Sequence, residues 1–320
     1  MKYYVGVDIG ATNLRVAVAD EKARILERLT EKTSRESINA ISRQIVRMIR
    51  SFTAFNYGVE NLVGIGIGAA GPIDMKMGVL VNPCILNAAP VPVVKPLEEE
   101  FGVPVKFLND CNAAVLGERR FGAGQGIANL VYVTLSTGIG GGAYVDGHLL
   151  LGKDGNAVEI GHIVIDSSGR LICRCGRRGH WEAYCSGTKI PEFARALIED
   201  GYVKLREDSL LLRKSEGDLN CLDSKMIYDA AKEGDITALE VLNWVNEYNA
   251  MGFGSIMSVY DPELITVGGA IPLANPELVV EPLKKRAGQY TINRPSRIML
   301  TPLKDDIVLY GAIAAVYDEG

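Results

Sequence analysis

Hydrophobic and polar positions alternate along the chain in two rhythms, short apolar runs closed by small residues and longer stretches with helical spacing. Tyr3 to Val7 is an apolar run broken by Asp8-Ile9-Gly10-Ala11-Thr12-Asn13, and Leu14 to Ala19 resumes it with β-branched and small residues. This predicts a hairpin whose turn is a functional loop. From Ser37 to Phe55, Ile38, Ile41, Ile45, Met48, Ile49 and Phe52 recur at helical spacing, which predicts an amphipathic helix covering a sheet. Leu62 to Ile67 reads as the next strand and ends in Gly68-Ala69-Ala70-Gly71-Pro72, small enough for backbone to approach a ligand or another strand closely. Leu80 to Pro96, rich in Pro and Asn, reads as a shaped surface loop. A short helix over Leu97 to Phe101 and a strand over Val103 to Leu108 follow, and the strand delivers Asn109-Asp110 at its carboxyl end, just before a helix over Asn112 to Arg119.

The stretch from Asn129 to Val145 repeats the grammar of the first hairpin, with Ser136-Thr137-Gly138-Ile139-Gly140-Gly141-Gly142 between two strands. The echo predicts two lobes of related topology, each bringing one phosphate-style loop to a clamped polyphosphate. As a dinucleotide fingerprint the second loop fails, because its glycines lead into another strand and no helix start follows. Further on, Ile190 to Ile198 and Ser224 to Glu233 read as helices, and Leu239, Leu242, Val245 and Tyr248 mark a long one running toward Gly252 and Gly254. A strand over Leu264 to Val267 ends in Gly268-Gly269-Ala270, a bare backbone suited to a flat ligand such as adenine, and Ile307 to Tyr317 forms an apolar helix that must dock.

Composition narrows the class. The 320 residues are 48% apolar and 23% charged, ordinary for a globular protein long enough for two lobes. No stretch approaches the roughly 20 apolar residues that span a bilayer. The N-terminus enters a strand at once, so neither signal nor transit peptide is expected, and the expected location is the cytoplasm. A formal net charge of −5 gives no electrostatic case for nucleic acid.

Chemistry concentrates between Gly155 and Cys185, where two of the three histidines and three of the six cysteines stand beside two glutamates. His162, Cys173, Cys175 and His180 make a tetrahedral zinc set, with Gly176 and Gly179 allowing a tight knuckle; Cys185 is an alternative fourth ligand. A closed set leaves no open coordination position, so the zinc is expected to be structural, holding Glu159 and Glu182 beside it. Cys173 and Cys175 are too close in sequence to bridge comfortably as a disulfide. Asp110 is a candidate general base, a role compatible with capping the helix it begins. In the first loop, backbone N–H groups and the Thr12 hydroxyl suit phosphate, and Asp8 suits Mg²⁺ through water.

With these residues in place the chain resembles the sugar kinases of the ROK family, within the group sharing the actin, Hsp70 and hexokinase fold. The likeness covers nearly the whole length and rests on DIGATN at Asp8 to Asn13, GPID at Gly71 to Asp74, ND at Asn109 and Asp110, STGIGGG at Ser136 to Gly142, EIGH at Glu159 to His162, CRCGRRGHWE at Cys173 to Glu182 and VGGA at Val267 to Ala270. The resemblance implies a two-lobed α/β fold of the actin-like (ribonuclease H-like) ATPase class, with a small lobe of residues 1–109 plus 305–320 and a large lobe of 110–304 carrying a zinc loop at 159–185. It implies ATP- and Mg²⁺-dependent phosphorylation of a hexose, usually at the 6-hydroxyl, with Asp110 as general base. By the same carry-over Asn109, Glu159, His162, Glu182 and an asparagine at Asn87 rather than Asn82 hold the sugar. Asp8, Gly10, Thr12, Asn13, Thr137 and Gly138 handle phosphates and metal, and Gly268 and Gly269 the adenosine. His162 is expected to serve the zinc with one ring nitrogen and the sugar with the other.

Two departures stand out. His180 occupies a position where the family usually has Cys, and Val158 one where a small residue, usually Gly, precedes the EIGH glutamate. Glucose is the first-choice sugar, with mannose, glucosamine, fructose and N-acetylmannosamine behind it, so an N-acetylmannosamine kinase or fructokinase is the alternative within the family. A sugar-sensing repressor is the rival class, but it would carry a helix-turn-helix ahead of the first loop, and that loop begins at Asp8. A nucleotide hydrolase is a third class, disfavoured by the sugar-suited carboxylates. The family inclines toward homodimers and tetramers.

Overall fold

The structure is a computed structural model describing residues 2–55, 59–81 and 90–317. The chain separates into two compact units, Met1–Tyr132 with Gly142–Val158 and Thr301–Gly320, and Val133–Gly141 with Glu159–Leu300.

The first unit is built on β1 (Tyr3–Ile9), β2 (Asn13–Ala19) and β3 (Ile25–Lys32), followed by helix α1 (Ala40–Arg50) and β4 (Leu62–Ala69). The β1–β2 hairpin is antiparallel, with Ile9 opposite Leu14, so the expected turn shrinks to Gly10–Thr12 and Asp8 sits inside the strand. β3, which the apolar pattern did not reveal, lies at the sheet edge with half-buried and exposed positions alternating; its charged residues suit an edge. Ile41, Ile45, Met48 and Ile49 of α1 are fully buried in one core with Val5, Val7, Ile65 and Ile67. Burial of that stripe is what makes the helix, whereas Ile38, ahead of it, stays 40% exposed.

A small ribbon of β5 (Ile73–Asp74), β6 (Val79–Leu80) and β7 (Val91–Pro92) precedes α2 (Val94–Phe101), β8 (Val105–Asn109) and α3 (Asp110–Phe121). β4 runs parallel to β1, and β8 parallel to β4. Alternate glycines of β4 face the last helix, Ile307–Tyr317. A Cβ on Gly66 would collide with the Ala312 carbonyl, and one on Gly311 of that helix with the Ala113 carbonyl of α3. The small residues here admit a helix, so β4, α3 and the C-terminal helix pack at backbone distance and fix the head of α3.

The second sheet contains β9 (Leu130–Leu135), β10 (Ile139–Val145), β11 (His148–Leu149), β12 (Leu264–Gly268) and β13 (Arg297–Leu300), in the order β11-β10-β9-β12-β13. The first sheet has the order β3-β2-β1-β4-β8. Each therefore places its third, second, first, fourth and fifth strands side by side, with the outer hairpin antiparallel and the last pair parallel. The predicted internal echo is thus a repeat of topology. Helices α4 (Glu182–Cys185), α5 (Ile190–Glu199), α6 (Leu210–Lys214), α7 (Ser224–Lys232), α8 (Ile236–Tyr260), α9 (Ala270–Ala274), α10 (Pro276–Arg286) and α11 (Ile307–Tyr317) complete the fold. Among the described residues no helix is long and apolar enough to cross a membrane.

Candidate functional site

In the first unit β8 hands over directly to α3. Asn109, still extended at ψ 148°, caps the helix: its Oδ1 accepts the Cys111 N–H at 2.8 Å, and Asp110 Oδ1 accepts the same N–H at 2.8 Å. The cap belongs to Asn109, and Asp110 is the first helical residue, half-buried where the helix dipole favours its negative charge. Gly142, in the middle of β10, lies against the Cys111 carbonyl so closely that a Cβ would not fit.

Asp8 is 5% exposed and ion-paired with Arg15, whose Nε donates at 2.8 Å, while Arg15 Nη1 reaches the Asp305 carbonyl at 2.6 Å. Burial pushes the Asp8 carboxyl up by more than the Arg15 guanidinium draws it down. After it the loop tightens, the Gly10 N–H donating to the Asn13 carbonyl at 3.0 Å and leaving Ala11, Thr12 and Asn13 exposed.

The second unit holds the cysteine and histidine cluster. A knuckle forms because the Cys173 N–H donates to the Arg177 carbonyl at 2.8 Å and the Gly176 N–H to the Cys173 carbonyl at 2.9 Å, with Gly176 at φ +82°. Bridges pair Ile172 with Arg178 and Val164 with His180, returning the chain beside His162. One ligand atom from each of His162, Cys173, Cys175 and His180 falls within 4.8 Å of the others. Two thiols and two imidazoles at that spacing fit a tetrahedral zinc ion. Cys185 is outside the group, buried with its Sγ 3.4 Å from the Val245 carbonyl, so His180 is the fourth member. Burial, with Cys175 and Glu182 beside it, pushes the Cys173 thiol up to about 12, and a cation bound there would displace that proton. Burial also holds the His180 imidazole down, which keeps it in the neutral form a ligand needs.

Glu159 and Glu182 flank this cluster differently. Glu159 is half exposed with Oε2 3.3 Å from His162 Nδ1. Glu182 Oε2 accepts the Ile139 N–H of the second glycine loop at 2.9 Å, and its Oε1 lies 3.4 Å from Cys173 Sγ. The glutamate expected to hold sugar therefore also braces the glycine loop against the cluster. A Cβ on Gly138 would stand 2.6 Å from Glu182 Oε2, so this approach requires the glycine. Beside it the Thr137 carbonyl accepts the Thr188 hydroxyl at 3.0 Å, and the Gly187 N–H donates to the Ser136 carbonyl at 2.7 Å. Gly268 ends β12, and Gly269 follows at φ +94°, too close to the Leu135 carbonyl to carry a side chain.

The motif reading passed over Trp181, which sits between His180 and Glu182. It is fully buried, its Nε1 donates to Asn249 at 2.9 Å, and Gly252 of α8 is the notch that receives its ring. A tryptophan in a cysteine-rich loop, with a glycine in a distant helix, was its only trace in the sequence. Val158, just before Glu159, is buried at φ +67°, a left-handed conformation that β-branched residues avoid. Asn87 and Asn82 lie outside the described residues.

Comparison with known proteins places these features in a family. The ROK family model matches residues 4–319. The chain is 37% identical over 317 residues to a glucokinase of Pyrobaculum calidifontis, covering 99% of this chain and 96% of that one. It is 35% identical to a glucokinase of Thermotoga maritima, covering 98% and 96%. Its fold matches, with a TM-score of 0.78 and 31% identity over 99% of this chain and 100% of the other, a ROK family glucokinase from Streptomyces griseus solved in complex with glucose and AMPPNP.

Proposed function

The chain belongs to the ROK family, and from that premise we propose that it is an ATP-dependent hexose kinase, a glucokinase that transfers the γ-phosphoryl group of ATP to the 6-hydroxyl of glucose. The observation that carries the reading is Asp110 held at the head of α3 by the cap that Asn109 makes, with α3 locked at backbone distance to the C-terminal helix. A carboxylate so fixed is suited to take the proton of an attacking hydroxyl. Phosphoryl transfer asks for little else from the protein beyond alignment and charge neutralisation.

In this reading Asn109, Glu159, His162 and Glu182, with Asn87, hold the remaining sugar hydroxyls; carboxylates serve because a charged acceptor makes a stronger hydrogen bond than a neutral one. Gly10, Thr12, Asn13, Thr137 and Gly138 receive the phosphates, Asp8 serves the metal that accompanies them, and Gly268 and Gly269 take the adenosine. Mg²⁺, bound with the nucleotide near Asp8, would neutralise phosphate charge. His162, Cys173, Cys175 and His180 would hold zinc as a structural ion, fixing the direction in which the His162 ring and Glu182 point. The working form is a soluble homodimer or homotetramer in the cytoplasm.

ADP release from Mg-ATP, measured against a panel of hexoses and a sugar-free blank, tests the proposal. Release that appears only with sugar, led by glucose, is expected. Release indifferent to sugar would make the protein a nucleotide hydrolase, and no release would make it a sugar-binding regulator.

A further inference from the structure

All three carbonyls of the first glycine turn are held from one side. The Thr33 hydroxyl donates to the Gly10 carbonyl at 2.8 Å, Arg35 Nη2 to the Ala11 carbonyl at 2.8 Å, and the Thr33 N–H to the Thr12 carbonyl at 2.9 Å. In a planar trans peptide the carbonyl of one residue and the N–H of the next point in opposite directions. Fixing the Gly10 and Ala11 carbonyls toward residues 33–35 therefore turns the Ala11 and Thr12 N–H groups away from them. Those two N–H groups donate to nothing among the described residues, and both residues are exposed. Adjacent outward N–H groups form a nest for an anion.

Residues 31–34 are in turn held by Gln44 of α1, a polar side chain only 8% exposed. Its Oε1 accepts the Ser34 N–H at 2.9 Å, and its Nε2 donates to the Lys32 carbonyl and to Glu31 Oε2, each at 2.9 Å. Every polar atom of Gln44 is thus spent on this segment.

We infer that Thr33 and Gln44 are positioning residues for phosphate binding: they reach no ligand themselves, and they hold the Ala11 and Thr12 N–H groups aimed at the phosphates of a nucleotide. The inference rests on the reading that the Gly10–Asn13 loop receives phosphate. Nothing in the motifs singled out either residue, since both lie 20 or more positions beyond the loop.

The test measures AMPPNP affinity of the full-length protein, with kcat and KM for ATP and for glucose, in Thr33→Val, Thr33→Ser and Gly10→Ala. Thr33→Val keeps the branched shape and removes the hydroxyl. It is expected to weaken AMPPNP binding about threefold to tenfold, the worth of one hydrogen bond, and to leave the glucose KM unchanged. Thr33→Ser is expected to restore binding. Gln44→Met, of similar volume, reaches the same loop from the helix and is expected to weaken AMPPNP in the same direction, which keeps the test open should Thr33→Val fold poorly. Unchanged affinity in Thr33→Val and Gln44→Met, or equal losses in Thr33→Val and Thr33→Ser, overturns the inference. Gly10→Ala separates the two levels: weakened AMPPNP there with no effect at Thr33 leaves the phosphate loop standing and removes the clamp, whereas no effect at Gly10 removes the loop's role and the clamp with it.

Discussion

Val158 offers a test in which the usual order of substitutions reverses. It is 7% exposed, so replacing it with alanine removes two buried methyl groups, about 1.6 kcal/mol of transfer free energy before any cavity is counted. Alanine also keeps a Cβ at φ +67°, where an L-residue carries about 1–2 kcal/mol of steric penalty. Glycine loses one more methyl group, about 0.8 kcal/mol, but releases that penalty. In the middle of a helix or strand glycine is less stable than alanine by about 0.5–1 kcal/mol; at this left-handed position the two are expected to be level or glycine the more stable. Thermal melts of the parent, Val158→Ala and Val158→Gly, read by circular dichroism, measure the order. Alanine is expected to melt several degrees below the parent, and glycine at or above alanine, since about 1 kcal/mol moves a melting point by roughly 2–4 °C in a unit of this size. A Val158→Gly protein that melts clearly below Val158→Ala would refute the strain argument. Because Val158 leads into Glu159, the glycine variant is also expected to raise the KM for glucose, by freeing the backbone that sets that carboxylate.

Three further outcomes follow from the same geometry. Asp110→Asn is expected to lower kcat by about 10²–10⁴-fold while glucose binding survives, because Asn109 still caps the helix; near-normal turnover would remove Asp110 as the base. Metal analysis of active protein is expected to find zinc, and Cys175→Ser to lose it together with thermal stability; active protein without zinc would end the coordination argument. Glu118, fully buried in α3, has its carboxyl pushed up by burial, against the Thr301 hydroxyl and the Ala123 N–H at 2.8 Å. A carboxyl raised in the folded state binds more protons folded than unfolded, so its stabilising effect is present at low pH and lost as pH rises through the folded value. Glu118→Gln is therefore expected to melt above the parent near neutral pH, the gap closing toward about pH 4, and a gap independent of pH would contradict it.

Local signals carried the parts of the site that were legible from residues alone. The two glycine hairpins, α1 and the His162, Cys173, Cys175 and His180 group announce themselves because each is made within a few turns of chain; His162 to His180 close through one short knuckle. Edge strand β3 escaped because its positions alternate between half-buried and exposed and leave no continuous apolar run, and β13 because its apolar stretch is too short to read as a strand. The assignment of the helix cap to Asp110 missed by one residue, because Asn109 and Asp110 compete for the same Cys111 N–H and only the extended backbone of Asn109 decides it. The brace from Glu182 to Ile139 spans 43 positions, and Trp181 meets its notch at Gly252 across a still wider gap. Such long-range pairings have no periodicity to betray them. Val158 was visible as an odd residue, but its left-handed backbone was not.

Phosphorus NMR of a reaction between Mg-ATP and glucose measures the transfer itself. The account predicts a phosphomonoester signal coupled to the methylene protons at carbon 6 of the sugar, rising mole for mole with ADP. Inorganic phosphate rising in its place, with glucose unchanged, would contradict it.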